Sequence, residues 1–298
     1  MSTIPFAGRL AALSLALLGL ASAASAQQLT TPRVSPHARV TQTVGLTELS
    51  VDYHRPAVNG RRVWGDLVPY GEVWRAGANE NTVFETSTDL MVEGEPLPAG
   101  RYGFHTIPGE DTWTVVFSTV SVAWGSYTYD PAEDALRVTV VPRPAPMTER
   151  LSFHFDDPDE DSATLVLSWD ELEVPVSLVA DTPAAVLASM EAELRGVAGF
   201  YWEGWNQIAQ YALDTDRRLD DALGWIDRSI GVRPTFANTM TKAALLDASG
   251  RADQAAEVRT EAFGLATEDD VRAYARERRR AGRPDQADAV LARIGEIP

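Results

Sequence analysis

Val174-Pro175-Val176-Ser177-Leu178-Val179-Ala180-Asp181-Thr182-Pro183 is the stretch at which one kind of chain becomes another. Up to Ala180, Val174, Val176 and Leu178 alternate with other residues, the two-residue period of a half-buried strand. From Asp181 the alternation stops. Thr182 is expected to cap a helix that starts at Pro183, where a missing N–H is harmless. This junction divides the chain into a β-rich part, residues 27–180, and a helical part, residues 181–298.

Upstream, Leu49, Val51 and Tyr53 alternate with Glu48, Ser50, Asp52 and His54. The same rule runs through Trp113, Val115 and Phe117, through Leu136, Val138 and Val140, through Leu151, Phe153 and Phe155, and through Leu165, Leu167 and Trp169. Segments near 39–44, 83–87, 89–92 and 100–107 bring the count to about ten strands. Glu93-Gly94-Glu95-Pro96, Pro98-Ala99-Gly100 and Pro108-Gly109-Glu110-Asp111 supply turn residues between them. The expected fold class is α+β as two domains, an antiparallel β-sandwich followed by an all-α, repeat-like helical domain. The acidic run Asp156 to Asp161 lacks the ligand spacing and glycine of a calcium loop, so it reads as a solvated turn.

Downstream, one motif recurs as Leu219-Asp220-Asp221-Ala222, Ala252-Asp253-Gln254-Ala255 and Pro284-Asp285-Gln286-Ala287. The spacings are 255 − 222 = 33 and 287 − 255 = 32 residues, close to the ~34-residue period of tetratricopeptide repeats. Three helix pairs are expected, at 199–231, 235–266 and 268–295. Asn206, Gln210 and Thr239 depart from a well-formed repeat, so the pairs are degenerate. Stacks of this kind usually present a surface to a protein or peptide partner. Tyr201, Trp202 and Trp205, beside Phe200, make an aromatic stripe at helical spacing, expected to be inter-domain core.

The first 26 residues carry Arg9, a short apolar run from Leu10 to Leu20 and the small residues Ala24-Ser25-Ala26. That is the pattern of a signal peptide cleaved near Ala26, which predicts export to the periplasm or beyond. No stretch of the chain reaches the ~20 apolar residues of a membrane span. The net charge of −17, from 43 acidic and 26 basic side chains, disfavours nucleic acid and anionic membranes as partners. With no cysteine in 298 residues there are no disulfides, thiolate metal sites or cysteine nucleophiles.

Arg61 to Thr82 fits neither period. It sets Trp64, Tyr70 and Trp74 beside Gly65, Gly71 and Gly77, then Arg75, Asn79 and Glu80 among small residues, which predicts a long ordered loop. Arginine offers a planar fork, asparagine donates and accepts, and glutamate accepts or acts as a base. Arg75, Asn79 and Glu80 are therefore the leading ligand-binding candidates, with Arg55, Tyr102 and Trp74 beside them. The structural alternative is a knot in which Arg75 pairs with Glu80 and Asn79 bonds the loop backbone.

Tyr53-His54-Arg55-Pro56, Leu67-Val68-Pro69-Tyr70-Gly71, Trp74-Arg75-Ala76-Gly77-Ala78-Asn79-Glu80, Ala99-Gly100-Arg101-Tyr102 and Trp124-Gly125 together resemble a secreted bacterial family filed as domain of unknown function 2911. The resemblance covers about residues 35–180 and implies an exported β-rich domain without an established activity.

No catalytic residue is singled out. His54 and His154 lie on the polar phase of their strands and are expected to be solvated. A metal site from His54, His105 and Glu80 would need folding to bring them together, and no metal or cofactor is expected. Gly-x-Ser-x-Gly and nucleotide-binding fingerprints are missing. The expectation is an exported, non-enzymatic binding module for a small polar ligand or cell-envelope component, with a helical protein-interaction domain. The alternative is a periplasmic hydrolase of a sugar or peptide with Glu80 as general base.

Overall fold

A computed structural model describes residues 31–297. The expected signal peptide lies outside the described residues. The account below concerns the compact unit that begins at Val34. Its strands are β1 (His37–Val44), β2 (Thr47–His54), β3 (Thr82–Thr86), β4 (Leu90–Val92), β5 (Glu95–Leu97), β6 (Gly100–Ile107), β7 (Trp113–Ser118), β8 (Asp134–Val140), β9 (Arg143–Asp156) and β10 (Ser162–Ala180). They form two antiparallel sheets, ordered β1-β2-β3-β6-β7-β8 and β5-β4-β10-β9.

The alternating residues become the interior. Leu49, Val51, Phe84, Phe104 and Phe117 of one sheet share a buried cluster with Leu151, Leu165, Leu167 and Val176 of the other. Each such side chain contributes about 1.5–3 kcal/mol by leaving water. One hydrogen bond crosses this core, from the Phe153 N–H to Tyr53 Oη at 3.0 Å. The two rings meet edge to face with centroids 4.9 Å apart.

Two details differ from the expected strands. Residues 165–169 and 174–178 belong to one strand, β10, whose register on β9 shifts between Ser168 and Asp170 and again between Asp170 and Leu172. Asp170 takes φ 57° there, so the break in alternation is a bulge within a strand rather than a turn. Conversely, Glu93 and Gly94, at φ 51° and 85°, form a two-residue hairpin turn. The segment after it, read as part of a turn, is strand β5, with Leu90 opposite Leu97.

Seven α-helices follow among the described residues: α1 (Thr182–Glu193), α2 (Trp202–Asp214), α3 (Leu219–Val232), α4 (Phe236–Ala248), α5 (Ala252–Leu265), α6 (Glu268–Arg280) and α7 (Pro284–Ala292). The helices α2 and α3, α4 and α5, and α6 and α7 occupy the three expected spans, and the members of each pair pack on each other. Ala222, Ala255 and Ala287, the recurring alanines, are all completely buried, which lets neighbouring helices approach closely. Gly250 and Gly282 turn the chain within the second and third pairs at φ 73° and 72°. The turn of the first pair, residues 215–218, has no glycine, and Asp216 and Arg218 adopt φ 54° and 51° instead. A buried ion pair ties the last pair to the first: Arg278, 2% exposed, donates to Asp214 Oδ1 at 3.1 Å. No helix among the described residues is long and apolar enough to cross a membrane.

Three local expectations are corrected. The cap of α1 is Asp181, whose carboxylate accepts from the Ala184 N–H at 3.1 Å. Thr182 is the first helical residue, and its hydroxyl donates to Glu160 O at 2.9 Å. The aromatic stripe is not an inter-domain core: Phe200 and Tyr201 are 78% and 59% exposed. Trp202 and Trp205 instead lie under the Arg233 and Arg228 guanidiniums, 5.3 and 4.7 Å from the ring centres. His54 is buried rather than solvated, for reasons that belong to the site.

Candidate functional site: a stitched loop and a covered sheet face

Residues 55–81 connect β2 to β3 and hold no strand or helix, only isolated bridges. The loop is ordered because it is stitched to both sheets. The Val58 N–H donates to Glu149 O at 2.8 Å, and the Leu151 N–H donates to Pro56 O at 3.0 Å. Gly71 donates to Pro108 O at 2.8 Å, and Trp74 and Thr106 exchange two bonds of 2.8 Å each, so Trp74 extends the sheet beside β6. Its backbone is strained at Ala76, a fully buried residue at φ 49° whose carbonyl accepts from Thr82 Oγ1 at 3.0 Å. Strain of order 1–3 kcal/mol persists only where the surroundings enforce it.

These stitches build a wall of indoles. Trp74 stacks on Trp169 of β10 with ring centres 5.6 Å apart and planes at 17°. Trp64 meets Trp74, Trp113 and Trp169 edge-on at 5.8, 4.8 and 5.7 Å. Beside the stacked pair opens a cavity of about 350 Å³, lined also by Arg75, Arg61, Asn59 and Leu67. Two of its lining residues keep buried donors without a hydrogen-bond partner among the described residues, Arg75 Nε and Trp169 Nε1. Such groups are rare in folded proteins because leaving a donor unpaired costs about 1–3 kcal/mol.

The other sequence candidates disperse. Asn79, at φ 59°, donates to Ser35 O at 3.3 Å. Glu80 Oε2 lies 3.6 Å from His54 Nε2, and no ion pair joins Arg75 to Glu80 among the described residues. Arg55 anchors β9 by donating from Nε to Leu151 O at 2.9 Å. Tyr102 points into the core and donates to Pro98 O at 2.8 Å, so it does not line the cavity. Burial, then nearby Asp89, raises its phenol above the usual range.

The burial of a second group of residues escaped the sequence reading. On the outer face of the six-stranded sheet, where alternation predicts water, His54 is 8%, Asn81 5% and His105 2% exposed. The segment between Ser118 and Asp130 contributes Val120, Ala123, Gly125, Thr128 and Tyr129 to the pit around Asn81 and His105. The Asn81 N–H donates to Ala123 O at 3.2 Å, and His105 Nδ1 lies 3.0 Å from Ser126 Oγ. Burial lowers the His105 pKa to about 4, against a smaller opposing pull from Asp134. Tyr129, with its ring centre 5.4 Å from that of His105, is pushed up to about 12 by burial and by its bond to Asp134. The one signal in the chain was Gly103, a glycine inside a strand, which marks a close approach. Among the described residues no three histidine or carboxylate side chains converge as a metal site would require.

The fold and site thus define a β-sandwich with an internal aromatic cavity on one side of a long loop and a covered polar face on the other. Residues 35–178 match the model of a family described as "Protein of unknown function (DUF2911)". Comparison with curated proteins and with solved structures returned no match.

Proposed function

We propose that the chain is an exported binding protein whose β-sandwich takes a small polar ligand bearing a carboxylate, free or as part of a cell-envelope component, in the cavity beside Arg75. The observation that carries this reading is the pairing of a 350 Å³ space with Arg75, whose Nε is buried and unpartnered. A guanidinium with no carboxylate partner among the described residues, next to stacked indoles, suits a ligand with a planar anionic group on an apolar body. The helical part, read as degenerate tetratricopeptide-like repeats, is the docking platform for a protein or peptide. A groove of about 530 Å³ lined by Met240, Phe263, Tyr274 and Val290 supports that role. The domain limits proposed are residues 27–180 and 181–298.

The test is thermal unfolding of wild type and Arg75→Ala with a panel of uronic acids, muramic-acid-containing fragments and amino acids. Ligands that bind the native state raise its melting temperature by mass action. The expected result is a shift in wild type that Arg75→Ala loses while keeping a similar melting temperature without ligand. A carboxylate shift equal in both proteins, or none in wild type, would remove the reading. The alternative of Glu80 as the general base of a hydrolase draws on the 3.6 Å approach of His54 to Glu80. Glu80→Gln should then abolish turnover of a sugar or peptide substrate without changing binding.

A further inference from the structure

Ser126 and His105 have the relation of a nucleophile and its base. Ser126 Oγ lies 3.0 Å from His105 Nδ1. His105 is buried and neutral, and the tautomer that carries hydrogen on Nε2 leaves Nδ1 free to accept the serine proton. Gly103 marks the surroundings of Nε2. A Cβ added there would fall 2.5 Å from Val120 O, 3.2 Å from His105 Nε2 and 3.4 Å from Asn81 Nδ2, so the bare backbone makes room for the covering segment and leaves both side chains in one neighbourhood. Asn81 Oδ1 is buried without a partner among the described residues. The oxygen and nitrogen of an amide are assigned from their bonds, and exchanging them turns the acceptor towards the histidine. A cation reaches the residue before the serine: a Cβ on Gly125 would fall 2.9 Å from Arg75 Nη1.

We propose that Ser126, His105 and Arg75 form a hydrolytic centre for esters of acetyl-sized acids, with Ser126 as nucleophile and Asn81 as the positioning residue for His105. Ser126 Oγ forms a bond to the carbonyl carbon while its proton passes to His105 Nδ1 and the carbonyl π pair moves to oxygen, opposite Arg75 Nη1. The oxyanion collapses, the bond to the alcohol oxygen breaks, and the alcohol leaves with the proton from His105. Water then attacks the acyl-serine by the same steps, releasing the acid and restoring both residues. The preference for the smallest acyl group rests on the pit beside His105, which Gly125, next to Ser126 in the chain, also lines and whose volume of about 10 Å³ is the room of one water-sized group. Trp124 and Tyr127, near Ser126 in the chain and 60% and 83% exposed, offer a stacking surface for the alcohol. An ester suits this base better than an amide because a buried histidine of low pKa gives weak proton transfer to a poor leaving group.

The full chain is assayed with p-nitrophenyl acetate and p-nitrophenyl octanoate, and separately labelled with a fluorophosphonate located by peptide mass spectrometry. Saturable hydrolysis of the acetate alone is expected, with label on Ser126. Ser126→Ala should lose about 100-fold or more in kcat/KM while keeping its fold and any carboxylate-induced thermal shift. Asn81→Ser should lower kcat at unchanged KM, a split that mere loss of structure does not produce. No label on wild-type Ser126, or equal hydrolysis by wild type and Ser126→Ala, overturns the proposal. In that case the serine–histidine bond only pins the covering segment, whatever the cavity beside Arg75 binds.

Discussion

The indole rings of Trp74 and Trp169 lie almost parallel, 5.6 Å apart, and join the long loop between β2 and β3 to the last strand of the other sheet. Trp169 is 1% exposed, whereas Trp74 is only partly buried. Trp169→Ala should therefore destabilise by roughly 3–5 kcal/mol. Trp74→Ala should cost less and loosen the loop preferentially. Urea unfolding gives the first quantity, and amide exchange across residues 55–81 gives the second.

His105 sets an acid limit on stability. Its pKa falls from 6.5 unfolded to about 4 folded because burial disfavours the charged ring. Its contribution is intact above pH 6.5. It is lost as pH falls from there towards 4, because the unfolded chain takes the proton first. The loss is about 3 kcal/mol in full. His105→Gln should flatten the stability profile across that window, as read from unfolding midpoints at a series of pH values.

Arg278 is buried against Asp214, and Arg283 donates to the Asp214 carbonyl at 2.8 Å. Arg278→Ala removes the buried partner of a carboxylate that keeps Arg283 at 3.7 Å and Gln210 at 3.2 Å, and should destabilise the helical part by about 1–3 kcal/mol. Asp214→Asn with Arg278→Met should recover most of that loss. Circular dichroism melts of the single and double variants decide it.

The turn between α2 and α3 holds Asp216 at φ 54°, where the later turns use Gly250 and Gly282. Asp216→Gly removes that strain and should be neutral to stabilising, by no more than about 1 kcal/mol. A melting temperature several degrees lower would show that the Asp216 side chain has a role of its own in the turn.

The sequence by itself determined the architecture, because the periods of apolar residues are local. The two-residue alternation ending at Leu178 and the recurrence of Ala222, Ala255 and Ala287 required no knowledge of partners. The cap at Asp181 rather than Thr182 was within one residue, as expected where two adjacent side chains compete for the same N–H groups. Arg75 and Trp74 were also legible, as residues that neither period absorbed.

Only the tertiary structure decided what those residues meet. Glu80 turned to His54, Tyr102 went into the core, and Trp169, a strand residue like any other in the chain, became the floor of the cavity. His54 and His105 sit on the face that alternation gives to water, and they are buried because groups elsewhere in the sequence close on them, His37 and Glu80 on the first and Ser126 and Tyr129 on the second. Alternation reports which side of a sheet a residue occupies, but what covers that side is set by long-range contacts that no local pattern records.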